Sequence, residues 1–288
     1  MPENKSFIIR QMRPADLEQA FGLSLIEGWN QTMNDWKLLL DNPVNVCIVA
    51  EKDKRVAGTA TALNHENKVV WIGMVLVDKS LRGQGAGKML LGEIINRVKH
   101  IESVKLDATP AGQPLYRKLG FVDEYKIFRM TCDALNYGTK LVSGKELPEI
   151  NPDNISDVLM LDRNIFGADR GYLLRKLLIE NPGRAFSIKK GIHTEGYILG
   201  RAGSRFNYIG PLGALSQDSA RHLISKTFES LNGQAIALDI PEDKADLISW
   251  LEATGFVKQR HFVRMYLVVN PHPGRVYDQY LISGPEFG

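Results

Sequence analysis

A glycine-rich turn between a strand pattern and a helix pattern constrains this chain more than any other feature of its sequence. The segment VLVDKSLRGQGAGKMLL covers residues 75 to 91 and places three glycines within five residues, directly before an amphipathic helix pattern. Glycine lets a backbone bend tightly and approach a ligand, and the first amides of the following helix point at an anion. The pattern predicts a main-chain cradle for a diphosphate, with Arg82 and Lys88 adding charge at its sides.

Two better-known phosphate-binding loops do not fit this segment. A Walker-type loop would need a glycine at Arg82 and a hydroxyl side chain at Met89. A dinucleotide fingerprint would need its third glycine at Lys88 or at Leu90. Nucleoside triphosphate hydrolysis and NAD or FAD binding are therefore disfavoured, and a tight turn without a ligand stays the plain alternative.

The periodicity of apolar residues predicts alternating strands and helices. In the first half, strands are expected at 7–12, 46–51, 56–63, 69–77, 104–108 and 121–132, and helices at 15–27, 33–40, 86–99 and 111–119. In the second half, strands are expected within 184–209, at 235–240 and at the end, and helices at 217–230 and 243–253. This order predicts an α/β fold built on a mixed sheet.

The second half of the chain echoes the first. Three strings recur in the same order: Gly120-Phe121-Val122 with Gly255-Phe256-Val257, Arg129-Met130 with Arg264-Met265, and Trp71-Ile72-Gly73 with Tyr208-Ile209-Gly210. Such self-similarity argues for duplicated architecture. We predict an N-terminal domain over residues 1–135 and a C-terminal domain over residues 136–288, with the boundary in the polar stretch 133–140. The proline-rich segment 270–288 is expected to run over the surface.

The glycine segment resembles the Arg/Gln-x-x-Gly-x-Gly/Ala signature of the GNAT acyltransferase superfamily, which follows the fourth strand of that fold. A second run, from Leu115 to Phe121 (LYRKLGF), is similar to the family's Leu-Tyr-x-x-x-Gly-Phe motif. The resemblance covers residues 7 to 132 and implies tandem GNAT-like folds. It also implies direct transfer of an acetyl group from acetyl-CoA to a primary amine, without a covalent enzyme intermediate and without a metal.

The resemblance also implies roles for particular residues. Tyr116 corresponds to the tyrosine that protonates the departing thiolate, which a phenol can do over a wide pH range. The fourth strand would pair through its backbone with the pantetheine arm, and Thr109 stands where many members have an asparagine that contacts the cofactor. The expected cofactor-binding residues are Val75, Leu76, Val77, Arg82, Gly83, Gln84, Gly85, Ala86, Gly87, Lys88 and Thr109.

A Gly-Trp-Asn string between the first two helices resembles a signature of a two-domain GNAT subgroup. In this superfamily those helices often wall the acceptor site, so we expect Trp29, Asn30 and Asp35 to face the substrate. Glu27 is the candidate catalytic base, although a carboxylate, a backbone carbonyl or a water chain could each take the proton. A solvated helix face is the plain alternative for Glu27 and Asp35, and core packing is the alternative for Trp29.

The second half repeats the order of strands and helices but lacks the glycine turn and the tyrosine of the first half. It has no glycine cluster after residue 210, and Leu251 occupies the position that corresponds to Tyr116. One coenzyme A per chain is therefore expected, bound to the first half. Trp250, Tyr208 and Arg264 are possible pocket residues, with packing as the alternative for each.

Composition narrows the class of protein. The 36 basic and 33 acidic residues are mixed along the chain, so nucleic acid is not expected as a partner. No signal peptide or membrane-length apolar stretch is present, so we expect a cytoplasmic protein. Cys47 and Cys132 are expected to be buried and reduced, and the isolated His193 and His222 do not suggest a metal site.

These patterns favour an N-acetyltransferase for a small-molecule primary amine. Acetylation of a protein or peptide amine is the alternative within the same class. A coenzyme A-binding sensor that has lost catalysis is the alternative from a different class, and the oligomeric state stays open.

Overall fold

The strands of both halves join into one sheet, and helices cover both of its faces. A computed structural model describes residues 7–135 and 147–288. The strands are β1 (Ile8–Gln11), β2 (Val46–Lys52), β3 (Arg55–His65), β4 (Val69–Val77), β5 (Ser103–Ala108), β6 (Phe121–Cys132), β7 (Phe186–Lys190), β8 (His193–Arg201), β9 (Asn207–Ala214), β10 (Ile236–Pro241), β11 (Val257–Leu267) and β12 (Gln279–Leu281). The helices are α1 (Leu17–Ile26), α2 (Met33–Asp41), α3 (Ala86–Val98), α4 (Gln113–Lys118), α5 (Ser156–Phe166), α6 (Gly171–Glu180), α7 (Gln217–Ser230) and α8 (Ala245–Ala253).

Alternate residues of β4 build two different cores. Val69 and Trp71 pack with side chains of α1, α2, α5 and α6, whereas Val70 and Ile72 pack with side chains of α3. This follows from the two-residue period of a strand, which sends neighbouring side chains to opposite faces. Because both faces of β4 are covered, the strand reads as a continuous apolar run in the sequence.

The two halves exchange their last long strands. The sheet order is β1-β2-β3-β4-β5-β11-β6-β10-β9-β8-β7, with β12 paired to β9. Strand β11, from the second half, therefore lies between β5 and β6 of the first half, and β6 in turn pairs with β10 of the second half. The predicted mixed α/β fold is confirmed. The predicted boundary between residues 135 and 136 stays a prediction, and residues 136–140 of the boundary stretch lie outside the described residues.

The strings that recur in the sequence occupy equivalent places across this exchange. Arg129 of β6 makes a two-pronged ion pair with Asp239 of β10, through Nε to Oδ1 at 2.8 Å and Nη2 to Oδ2 at 2.5 Å. Arg264 of β11 does the same with Asp107 of β5, at 2.9 and 3.0 Å. Each half thus supplies an arginine to the other half's aspartate, as a duplicated fold with exchanged strands requires.

The expectation that segment 270–288 runs over the surface is wrong for residues 278–288, which are buried except for half-buried Pro285, whereas residues 270–277 are exposed or half-buried. Tyr280, Leu281, Ile282 and Phe287 are at most 7% exposed. Residues 282–288, here called the C-terminal tail, lie against β4, where Glu286 contacts Gly73 and Gly288 contacts Trp71. The expectation that both cysteines are buried and free is confirmed.

Candidate active site

Strand β4 separates from β5 halfway along its length. The two strands pair from Val69 with Ser103 to Ile72 with Leu106, and the pairing ends there. On the other edge of β4, the register with β3 shifts between Gly73 and Leu76, and Met74 has a φ of +49°. Such a bulge kinks a strand and re-aims its backbone groups. The slot between the strands therefore exposes unpaired amides of β4 to a ligand.

A cavity of about 100 Å³ lies at this slot. Four of the residues singled out from the sequence line it: Trp29, Val75, Thr109 and Tyr116. The rest of its lining comes from the connection between α1 and α2, from β4, β5 and both exchanged strands, and from the C-terminal tail. It comprises Gln31, Ile72, Gly73, Met74, Leu106, Asp107, Arg129, Arg260, Phe262, Pro285 and Glu286. Both halves of the chain thus build one site.

Tyr116 lies on α4 with its ring held between two neighbours. The ring meets Phe121 edge-to-face with a centroid distance of 5.8 Å. A methyl group added at Gly112 would lie only 3.0 Å from Cε2 of the tyrosine, so a glycine is needed there for the ring to fit. Burial raises the pKa of Tyr116 to about 12. The phenol therefore keeps its proton at neutral pH and can donate it.

The glycine turn forms a second, open cavity next to the end of β4, lined by Val77, Leu81, Arg82, Gly83, Gly85, Ala86, Gly87 and Lys88. Gly83 and Gly85 have φ angles of +77° and +93°, a conformation that side chains rarely adopt. Gly85 caps α3, whose first turn holds no acidic residue. The first amides of a helix lack partners within the helix, so this end can accept a diphosphate.

Two residues of the turn are fixed by side-chain contacts. Arg82 donates from Nε to the carbonyl of Val77 at 3.2 Å and forms an ion pair with Glu27. Gln84 accepts a hydrogen bond from Nζ of Lys52 at 2.9 Å. These contacts orient the turn relative to β4.

Three residues expected at the acceptor or catalytic site have other partners and do not line the cavity. Glu27 is bound to Arg82 at the glycine turn. Asn30 joins the two halves, since its Oδ1 accepts from the amides of Arg205 and Phe206 at 3.0 and 2.8 Å. Asp35 caps α2 by accepting from the amide of Thr32 at 2.6 Å, and it pairs with Arg201. Their predicted roles stay predictions.

The sequence patterns missed four charged residues of the cavity, of which Asp107 and Arg129 belong to the ion pairs described above. Glu286 is 2% exposed, and its Oε1 accepts from Arg201, while its Oε2 has no hydrogen-bond partner within the described residues. Burial raises the pKa of Glu286. Arg260 of β11 is half-buried, and burial together with nearby Arg129 lowers its pKa to about 10. A charged residue in an apolar terminal segment was the signal that could have drawn attention to Glu286.

The second half lacks the glycine turn, because β9 and α7 are joined by Leu215 and Ser216 alone, and Ser216 caps the helix through its side chain. Leu251, at the position of Tyr116, is fully buried. Tyr208, Trp250 and Arg264 are absent from the lining of the cavity. Across the described residues, no group of His, Cys, Asp or Glu side chains could hold a metal ion. Within the same ranges, no helix has the length and apolarity to cross a membrane.

Both halves match models of one family. Residues 11–121 match the Acetyltransferase (GNAT) family, and residues 158–281 match an Acetyltransferase (GNAT) domain. An uncharacterised N-acetyltransferase of Bacillus subtilis is 28% identical over 187 residues, which span 65% of this chain and 66% of that protein, just under two thirds of its length. A holothin acyltransferase of a Pseudoalteromonas species is 23% identical over 280 residues, covering 96% of this chain and 94% of the relative.

The fold has solved counterparts. The crystal structure of a protein assigned as an acetyltransferase in Pyrococcus horikoshii superposes with a TM-score of 0.82 at 24% identity, covering 100% of this chain and 99% of the other. The predicted duplication is confirmed, since each half has its own GNAT match. The chain is an acyltransferase of the GNAT superfamily, a two-domain member.

Proposed function

We propose that this chain transfers an acetyl group from acetyl-CoA to a primary amine of a small molecule. The observation that carries the proposal is the cavity at the separation of β4 and β5, which has Tyr116 on its wall and the glycine turn at the end of the same strand. GNAT enzymes use acetyl-CoA, and the residues present suit it, because free helix amides and open left-handed glycines favour a diphosphate. Bound acetyl-CoA supplies the activated acetyl thioester.

The main chain of β4 supports the acyl end of the reaction. Its amides beyond Ile72 are not paired with β5, so they are free to donate to a carbonyl oxygen that gains charge. The bulge at Met74 changes the direction of these amides within the strand. Backbone donors fixed in a sheet need little reorganisation when charge develops, which is the basis of oxyanion stabilisation.

Tyr116 provides the proton that the departing sulfur requires. When the amine nitrogen bonds to the carbonyl carbon and the carbon–sulfur bond breaks, the electron pair leaves on sulfur and the phenol protonates it. The nitrogen gives up its second proton to solvent as the amide forms, and solvent returns a proton to the phenolate. The ammonium form of the amine must first lose a proton. Glu27 remains the candidate base from the sequence, although its ion pair with Arg82 lies at the glycine turn.

The cavity is enclosed by several elements of the chain, and this favours a small molecule as the acceptor. The C-terminal tail covers the cavity on the β4 side, and residues of β6 from the first half and of β11 from the second half close it. A relative similar over nearly the whole chain is a holothin acyltransferase, which is consistent with acyl transfer by the two halves together. A protein amine would have to enter the same cavity through an extended side chain or terminus.

Replacing Tyr116 with phenylalanine tests this proposal. We expect Tyr116→Phe to lower kcat by about 100-fold, the lower range for general acid catalysis, while the Kd of acetyl-CoA changes little. Release of free thiol with a panel of amines and peptides gives kcat, and calorimetry gives Kd. An unchanged kcat would remove the tyrosine from the reaction. Tight cofactor binding without turnover on any acceptor would favour the sensor.

A further inference from the structure

Two charged side chains on the wall of the cavity each have a buried polar atom without a hydrogen-bond partner within the described residues. Oε2 of Glu286 is buried and has no hydrogen bond within residues 7–135 and 147–288. The Nε of Arg260 is likewise buried and without a partner there, and no ion pair joins Arg260 to a carboxylate of those residues. A buried polar atom without a hydrogen-bond partner is costly, so both atoms call for an explanation.

The four fully buried arginines of the described chain show what a structural arginine does here. Each of them pairs with a carboxylate: Arg129 with Asp239, Arg170 with Asp162, Arg201 with Asp35 and Glu286, and Arg264 with Asp107. Arg260 differs from these four, because it is half-buried and forms no ion pair within the described residues. Its guanidinium lies 5.1 Å above the ring of Phe262 and faces the cavity that both residues line.

Arg260 lies opposite another arginine, which destabilises the sheet, and a bulge in β11 sets the direction of its side chain. Arg260 is directly opposite Arg129 across the β6–β11 pair, and like charges in opposite positions of a sheet are destabilising. The register of β11 shifts between Lys258 and Arg260, a bulge that re-aims the side chain after it. Costly features of this kind concentrate at functional sites.

Glu286 lies beside the strand that would carry the acyl group. An added methyl group at Gly73 would be 2.9 Å from the Cα of Glu286, so the tail and β4 are in direct contact there. Gly73 is the residue before the bulge at Met74. An ammonium group bound at the free oxygen of Glu286 would therefore stand close to the reacting carbonyl.

We infer that the acceptor is an amine that also carries a carboxylate, with its nitrogen bound by Glu286 and its carboxylate bound by Arg260. This inference rests on the proposed function and names the class of its substrate. A planar guanidinium binds a carboxylate through two parallel hydrogen bonds, which gives both charge and geometry. Binding of such a molecule would give Oε2 of Glu286 a hydrogen-bond donor and would give Arg260 a carboxylate partner. Glu286 can then accept the proton that the ammonium must lose, by forming an O–H bond as the N–H bond breaks.

Matched pairs of acceptors test the inference on the full chain. Each pair has the same amine with and without the carboxylate: glycine and methylamine, lysine and cadaverine, phenylalanine and phenethylamine. For at least one pair we expect kcat/KM to be tenfold or more higher for the carboxylated member, which corresponds to about 1.4 kcal/mol or more. Equilibrium binding of the same compounds is measured in parallel in the presence of coenzyme A.

Arg260→Gln should reduce the preference to about twofold or less by raising KM for the carboxylated member, and Arg260→Lys should keep part of it. Lys258→Gln is the matched control, since it removes an exposed basic residue of the same strand that pairs with Glu252. Equal use of both members by the unmodified protein, or a preference that survives Arg260→Gln, would overturn the inference. Binding that depends on the carboxylate and on Arg260 without acetyl transfer would support it and reject the proposed reaction. Absence of both binding and transfer for every pair would overturn it.

Discussion

Gly73 of β4 touches the main chain of the C-terminal tail, so a single added methyl group should push the tail away from its seat. The ideal position of that methyl carbon is 2.9 Å from the Cα of Glu286 and 3.1 Å from its carbonyl oxygen. Non-bonded carbon atoms prefer a separation of about 3.5 to 4.0 Å, so the tail must move by roughly 0.5 Å or more. Both contacts are to backbone, which cannot yield by rotating a side chain.

The expected size of the effect follows from the contacts that hold the tail. Arg170 donates to Oγ of Ser283 at 2.8 Å and to the main-chain oxygen of Gly288 at 3.0 Å, and Phe287 is fully buried. Overpacking at such a site costs about 1 to 3 kcal/mol, of which replacing glycine by alanine in a strand recovers about 0.5 to 1 kcal/mol. We therefore expect Gly73→Ala to lower the free energy of unfolding by about 1 to 2 kcal/mol.

Thermal unfolding followed by circular dichroism measures this change, and each kcal/mol corresponds to a shift in Tm of about 2 to 4 °C for a chain of this size class. Gly92→Ala is the control, because a methyl group there in α3 meets nothing within 4 Å and should stabilise the helix. The displaced Glu286 should also raise KM for the amine more than the Kd of acetyl-CoA. A Gly73→Ala protein whose Tm is unchanged or raised would refute the assigned contact between tail and strand.

Two further predictions concern the glycine turn and a buried histidine. Gly85→Ala should raise the Kd of acetyl-CoA about tenfold, because a φ of +93° costs an alanine about 1 to 2 kcal/mol and the turn must reorient. Calorimetry measures this Kd, and an unchanged value would contradict the proposal that the glycine turn binds the diphosphate. Burial and nearby Arg170 lower the pKa of His65 from 6.5 to about 3, so the unfolded chain takes up the proton first and stability is lost as pH falls from 6.5 toward 3. At pH 5 the free energy of unfolding is lower by about 2 kcal/mol for this reason. Urea unfolding at pH 7.5 and at pH 5 measures this loss, and in His65→Leu we expect the difference in unfolding free energy between the two pH values to be smaller by the same amount.

The sequence predicts the parts of this protein whose physics is local. The glycine turn requires left-handed residues at Gly83 and Gly85, and the following helix begins one residue later. Strand β4 can be predicted from the sequence because both of its faces are buried, which gives a continuous run of apolar residues. Helices α5 and α6 were not among the predicted elements, although their buried residues, such as Leu173, Leu174, Leu177 and Leu178, recur at helical spacing.

The parts that sequence patterns missed depend on contacts between distant residues. The bulge of β4 places a methionine in the left-handed region, where no local preference of the residue points to it. Glu286 enters the cavity because Arg201 holds it, and that partner lies 85 positions earlier in the chain. The exchange of β6 and β11 is likewise invisible to periodicity, since either strand would show the same pattern in its own half.

The buried ion pairs explain how the exchange is specified. A buried pair adds little net stability, because removing two charges from water offsets most of their attraction, whereas leaving one member unpaired costs about 3 to 5 kcal/mol. Arg129 finds its aspartate only when β6 lies beside β10, and Arg264 finds its own only when β11 lies beside β5. A chain that kept its strands within their own halves would have to find new partners for both arginines. The same exchange brings Arg129, Arg260 and Phe262 to the cavity beside Tyr116. The second half has no glycine turn within the described residues, yet its strand β11 and the C-terminal tail complete the lining of the cavity beside Tyr116.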